Sequence, residues 1–148
     1  MKKSFLALTM ILTVLSITSF AGTTLNADPR TEKAFKQQFA GASNVKWSKV
    51  EDGYLQAVFT WANHRTIAYF SPDGEFVGSV RNLLFNQLPL SVMRAIDSQF
   101  KNDVVIEIKE ITNLDGTHYD LIVEQKGRKY DVKINIAGDI TQKEKVKK

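Results

Sequence analysis

Side chains able to do chemistry are few in this chain, and they are scattered. It has two histidines and no cysteine, and His64 and His118 stand at no spacing to each other or to carboxylates that would hold a metal ion. The lack of cysteine removes both thiol chemistry and disulfide staples, so stability must come from a packed core. Acidic pairs occur at Glu51-Asp52 and at Glu107 with Glu110, where a turn and an exposed strand edge explain them. The Asp-Gly steps at Asp52, Asp73 and Asp115 lack the oxygen spacing of a calcium loop and read as turns. No glycine-rich loop follows a strand to cradle phosphate, and no serine sits in a G-x-S-x-G elbow. No catalytic residue, metal ligand or cofactor is expected, and the chain reads as non-enzymatic.

What remains is recognition by side-chain burial. Strand alternation leaves one set of residues pointing away from the expected core: Tyr54, Gln56, Val58 and Thr60, then Ile67 and Tyr69, then Val77. Two tyrosines and three β-branched aliphatics on a face that should be polar suggest contact with a partner. Tyr54, Val58, Ile67 and Tyr69, with Arg65 at the rim, are the expected partner-binding residues. Cover by the preceding linker, by the other half of the chain or by Leu83-Leu84-Phe85 would explain the same pattern.

The elements that position these residues can be read from spacing. Asp28-Pro29 starts a helix with an N-cap and a proline that loses no needed bond; Phe35 and Phe39 share one face of it, and Gly41 ends it. Strands are expected at 45–50, 54–61, 65–71 and 75–80, the last two joined through Ser71-Pro72-Asp73-Gly74. A second helix begins at Leu88-Pro89, with Leu88, Val92, Ile96 and Phe100 four apart and Asn102 as a left-handed stop. Strands are expected again at 104–111, 118–125 and 128–136, with a short one at 139–142. The inward set comprises Val45, Trp47, Leu55, Ala57, Phe59, Trp61, Ala68 and Phe70, followed by Tyr119, Leu121, Val123, Tyr130, Val132, Ile134 and Ile136.

The order of elements repeats. Phe39 answers Phe100, Asp52-Gly53 answers Asp115-Gly116 and Gly74 answers Gly138, at spacings of 61 to 64 residues, too long for a solenoid and too few for an array. The expected fold class is α+β: two tandem units, each a helix plus a four-stranded antiparallel sheet, over residues 22–86 and 87–148.

Composition sets the address. At 148 residues and 43% apolar the chain is ordinary globular material. Residues 1–21 join a basic start, an apolar run and the small-residue end Ser19-Phe20-Ala21, which is the pattern of a secretory signal. The run is short for a bilayer span, and no other stretch could cross. Removal of Lys2 and Lys3 lowers the formal charge from +4 to +2. The excess sits in the tail from Lys143 to Lys148, which reads as solvated. No basic face interleaved with aromatics points to nucleic acid. A periplasmic or secreted protein is expected, with no membrane span after signal cleavage.

Phe35 and Phe39 leading to Asn44-Val45-Lys46-Trp47, the hairpin Ala68-Tyr69-Phe70 to Asp73-Gly74, and Leu88-Pro89 with Val92 and Ile96 resemble the PepSY-like, β-lactamase-inhibitor-like family of small exported bacterial proteins. Two departures are Ala40, where the family often has a proline before the first strand, and Ile108, where the second half would repeat Trp47. The resemblance implies a binding module that takes, or inhibits, a protein or peptide partner in the cell envelope on an open sheet face. The alternative is a small-ligand or envelope sensor using the groove between the two units.

Overall fold

The computed structural model describes residues 25–147; the expected signal at residues 1–21 lies outside them. Helix α1 spans Pro29–Gln38. It starts where the sequence places it because the Asp28 carboxylate accepts from the amides of Arg30 at 2.9 Å and Thr31 at 3.1 Å, and from Thr31 Oγ1 at 2.7 Å. Those bonds hold the Asp28 carboxyl below its ordinary range, the Thr31 hydroxyl contributing most.

Four strands follow: β1 (Ser43–Lys49), β2 (Leu55–Trp61), β3 (His64–Phe70) and β4 (Phe76–Asn82). Helix α2 (Leu90–Gln99) comes next, then β5 (Val104–Asn113), β6 (Gly116–Gln125), β7 (Arg128–Asn135) and β8 (Ile140–Lys145). The helices and strands thus lie within a few residues of their expected positions. Two details differ. Asn102 is absent from the residues with positive φ, and α2 ends instead as the Phe100 amide donates to the Ile96 carbonyl at 2.8 Å. Residues 143–145, read as part of a solvated tail, extend strand β8 while remaining exposed.

The expectation of two tandem helix plus four-stranded sheet units is overturned. All eight strands form one antiparallel sheet in the order β1 to β8, because β4 pairs β5 directly, with Val80 opposite Ile111 and Arg81 opposite Glu110. The molecule is mostly β, with two helices against a single continuous sheet. An unjoined β4 and β5 would each leave an edge of unpaired amides and carbonyls; pairing satisfies both.

Both helices lie on the same side of the sheet. The register row Phe59, Thr66, Arg81, Glu110, Tyr119 and Ile134 runs unbroken from β2 to β7, and its two ends belong to two cores. One core packs Phe35 and Phe39 of α1 on Ala57, Phe59, Ala68 and Phe70, with Phe35 and Phe59 edge to face at 4.8 Å. The other packs Val92, Ile96 and Phe100 of α2 on Ile108, Tyr119, Leu121, Val123, Val132 and Ile134. The expected inward set fills these cores with one exception: Ile136 is 58% exposed, because β7 ends at Asn135 and the chain turns there.

At the seam between the cores the Arg81 Nε lies 2.7 Å from Glu110 Oε1, and its guanidinium stands 5.5 Å from the Trp61 ring centroid. Tyr119 Oη donates to Glu110 Oε2 at 3.4 Å. Burial and the Glu110 charge push the Tyr119 phenol up. Leu83 is buried, and Phe85 packs beside it on the α2 core, so the 83–85 segment belongs to the helix side.

Candidate functional site

The face opposite the helices carries the third apolar cluster. Ile67, Tyr69, Val80 and Ile111 form its centre, and Val50, Val58 and Val77 pack around them. No residue of α1 or α2 belongs to it, and the Leu83-Leu84-Phe85 segment lies on the other side. Strand residues and Val50, just past the end of β1, close the cluster.

Alternation and register build this face. Starting at β1, the row of direct partners reads Lys46, Val58, Ile67, Val80, Ile111, His118 and Asn135. Its middle is apolar and its ends are polar. The adjacent row on one side holds Ser48, Gln56 and Tyr69, joined by hydrogen bonds: Ser48 Oγ donates to Gln56 Oε1 at 3.3 Å, and Gln56 Nε2 donates to Tyr69 Oη at 3.0 Å. The adjacent row on the other side holds Asn82, Lys109, Asp120, Lys133 and Gln142.

The five residues expected to bind a partner divide by depth. Ile67 and Tyr69 are buried, at 8% and 5% exposure; they form the floor of the face and offer little surface of their own. Val58, directly opposite Ile67, is half-buried and joins the same cluster. Tyr54 is half-buried beside the start of β2, and Arg65 is exposed at the far end of β3, opposite Thr60. The structure therefore brings Val58, Ile67 and Tyr69 into one cluster and leaves Tyr54 and Arg65 at its margins.

Sequence reading missed the part of the face that lies beyond β4. Val80, set opposite Ile67 by the β3–β4 pairing after its register shift at Tyr69/Phe70, and Ile111, which only the β4–β5 pairing brings there, complete the apolar centre. His118 and Asp120 continue it. Alternation already turned Asp120 away from the core, and the same period would have carried His118 with it. His118 Nε2 is 3.6 Å from Asp120 Oδ1, too long for a hydrogen bond, and that oxygen is buried without a partner among the described residues. Burial pushes the imidazole of His118 below its ordinary range, Asp120 opposing this and Lys133 adding to it. Burial likewise raises the Asp120 carboxyl, against the pull of Lys133, His118 and Lys109.

Among the described residues no group of three or more His, Cys, Asp or Glu could hold a metal ion, and no helix is long and apolar enough to cross a membrane. One open hollow of about 470 Å³ is lined by Asp103, Gln125, Lys126, Arg128 and Tyr130, at the β6–β7 turn and away from the apolar face. At the seam between the two cores, where the alternative reading places a ligand groove, stands the Arg81–Glu110 pair.

Comparison with solved structures matches this architecture. A BLIP-like protein from Bacteroides fragilis is 23% identical, with 82% of this chain and 88% of that one covered and a TM-score of 0.73. A DUF2874 family protein from Bacteroides ovatus is 21% identical over 82% and 89% of the two chains, with a TM-score of 0.70. A candidate periplasmic protein from Bacteroides eggerthii is 20% identical over 82% and 90%, with a TM-score of 0.67. At these identities the likeness is one of fold, and none of the three is described as PepSY-like. No family model matches the chain, and no curated protein sequence does.

Proposed function

We propose that the protein is an exported, non-enzymatic binding module of the cell envelope that takes a protein or peptide partner on the helix-free face of its sheet. One observation carries this reading: seven strands contribute to a single row on that face, apolar in the middle and polar at both ends, with both helices on the opposite side. Ile67, Val80 and Ile111 are its buried floor; half-buried Tyr54, Val58 and Val77 with exposed Arg65 are what a partner would touch, an apolar patch with a polar rim as in protein interfaces. The likeness to a BLIP-like protein and to a candidate periplasmic protein supports the same class and address.

Within this reading the residues have distinct tasks. Ile67 and Tyr69 hold the floor rigid, the tyrosine through its hydrogen bond from Gln56. Tyr54 and Val58 supply apolar contact, and Arg65 gives directional polar contact at the rim.

Affinity capture from the periplasm with the wild-type protein, followed by binding measurements on the captured partner, tests the proposal. Tyr54→Ala combined with Arg65→Ala should weaken binding by about 2 kcal/mol while leaving the melting temperature near its wild-type value. Unchanged capture by a folded double variant would place the interface elsewhere.

A further inference from the structure

We propose that β8 is a second docking edge, which takes an extended acidic segment of a partner protein as an added strand. The strand stands last in the sheet order, and no described residue pairs its outer side. All six of its residues are exposed. The amide of Val146 donates inward to the Lys129 carbonyl at 3.0 Å. Backbone groups alternate along a strand, so those of Glu144 also face β7 and those of Lys143 and Lys145 face outward. A row of free amides and carbonyls is therefore presented between two lysines.

The side chains select what can pair there. Register sets Lys143 opposite Val132 and Lys145 opposite Tyr130, on the helix side of the sheet, and Lys147 follows in the same alternation. Arg128, opposite Gln125, stands on this side too, and with Lys126 it borders the hollow beside Tyr130. The Lys143 ammonium is anchored 5.0 Å from the Tyr130 ring centroid and 5.4 Å from that of Phe100, and donates to Gln125 Oε1 at 2.7 Å. The one carboxylate lining the hollow, Asp103, accepts from the Gln125 amide. Edge lysines normally keep two sheets from joining; here a second copy would set lysine against lysine, whereas acids at alternate positions would meet a cation at each. The opposite edge is a poorer template, since β1 breaks register between Ser43 and Lys46 with Asn44 at φ 55°.

A fluorescein-labelled synthetic peptide alternating Glu with Val, titrated into the protein and read by anisotropy, tests the edge. Saturable binding is expected, weakened about tenfold by Lys145→Glu with Lys147→Glu and reduced by added salt. Both substituted side chains are exposed, so the melting temperature should hold. The same peptide N-methylated at alternate residues should not bind, because strand addition needs its amides. Equal binding of the methylated peptide would overturn the proposal by reducing it to charge attraction. Preferential binding to phosphatidylglycerol vesicles would assign the lysines to lipid instead. Self-association without peptide that blocks the titration would give the edge to a second copy.

Discussion

His118 and Asp120 form the most informative pair at the residue scale, because burial on the face opposite the helices disfavours the charged state of both. A lowered histidine pKa means the unfolded chain binds the proton first. His118 should therefore cost stability as pH falls below about 6.5, the ordinary value from which it is lowered. The raised Asp120 acts with the opposite sign: the folded state binds its proton more tightly, so it costs stability as pH rises above its ordinary 3.8. Melting curves across this range check both. His118→Gln should remove the loss just below pH 6.5, and Asp120→Asn should remove the loss above 3.8; parallel profiles for wild type and variants would contradict the assignment. The two site tyrosines also separate here. Tyr69, read from sequence as a surface anchor, is a floor residue, since period 2 gives the side of a sheet and not the depth of cover.

At the scale of elements, the turns decide how strands meet helices. Gly138, between β7 and β8, has φ 93°, and a Cβ there would come within 2.6 Å of the Ser91 carbonyl oxygen on α2. The same turn is tied to that helix by Ser91 Oγ, which donates to the Ile136 carbonyl at 2.6 Å. Gly138→Ala is expected to cost about 2 kcal/mol or more. Gly127, at φ 72° with open space around it, carries only the conformational penalty, and Gly127→Ala should cost about 1 kcal/mol. Urea titration of the two variants compares them directly. The N-cap, the turns and the strand periods were legible in the sequence because each rests on neighbours in the chain. The end of α2 at Phe100, not at a left-handed Asn102, shows how a local cap signal yields once packing fixes Phe100 in the core.

For the whole molecule, the single sheet predicts single unfolding. The two tryptophans, Trp47 and Trp61, both report on the α1 core, whereas Leu121 lies wholly in the α2 core at 0% exposure. Leu121→Ala removes fully buried methyl groups and should cost about 2–5 kcal/mol. Tryptophan fluorescence and far-UV circular dichroism should then shift together to lower denaturant. A tryptophan transition left in place while dichroism moved would show that the β4–β5 junction does not couple the two cores.

The sequence by itself determined where each helix and strand runs and which of their residues turn toward a core, because those follow from 3.6- and 2-residue periods and from capping chemistry within a few positions. It also excluded thiol chemistry. Tertiary structure alone decided that β4 joins β5, so that one sheet replaces two, and that Val80 and Ile111 complete the apolar face between Ile67 and His118. It decided as well that the lysine-rich end is an edge strand. Strand pairing joins residues distant in the chain through backbone hydrogen bonds that every residue can make, so no side-chain pattern names the partner.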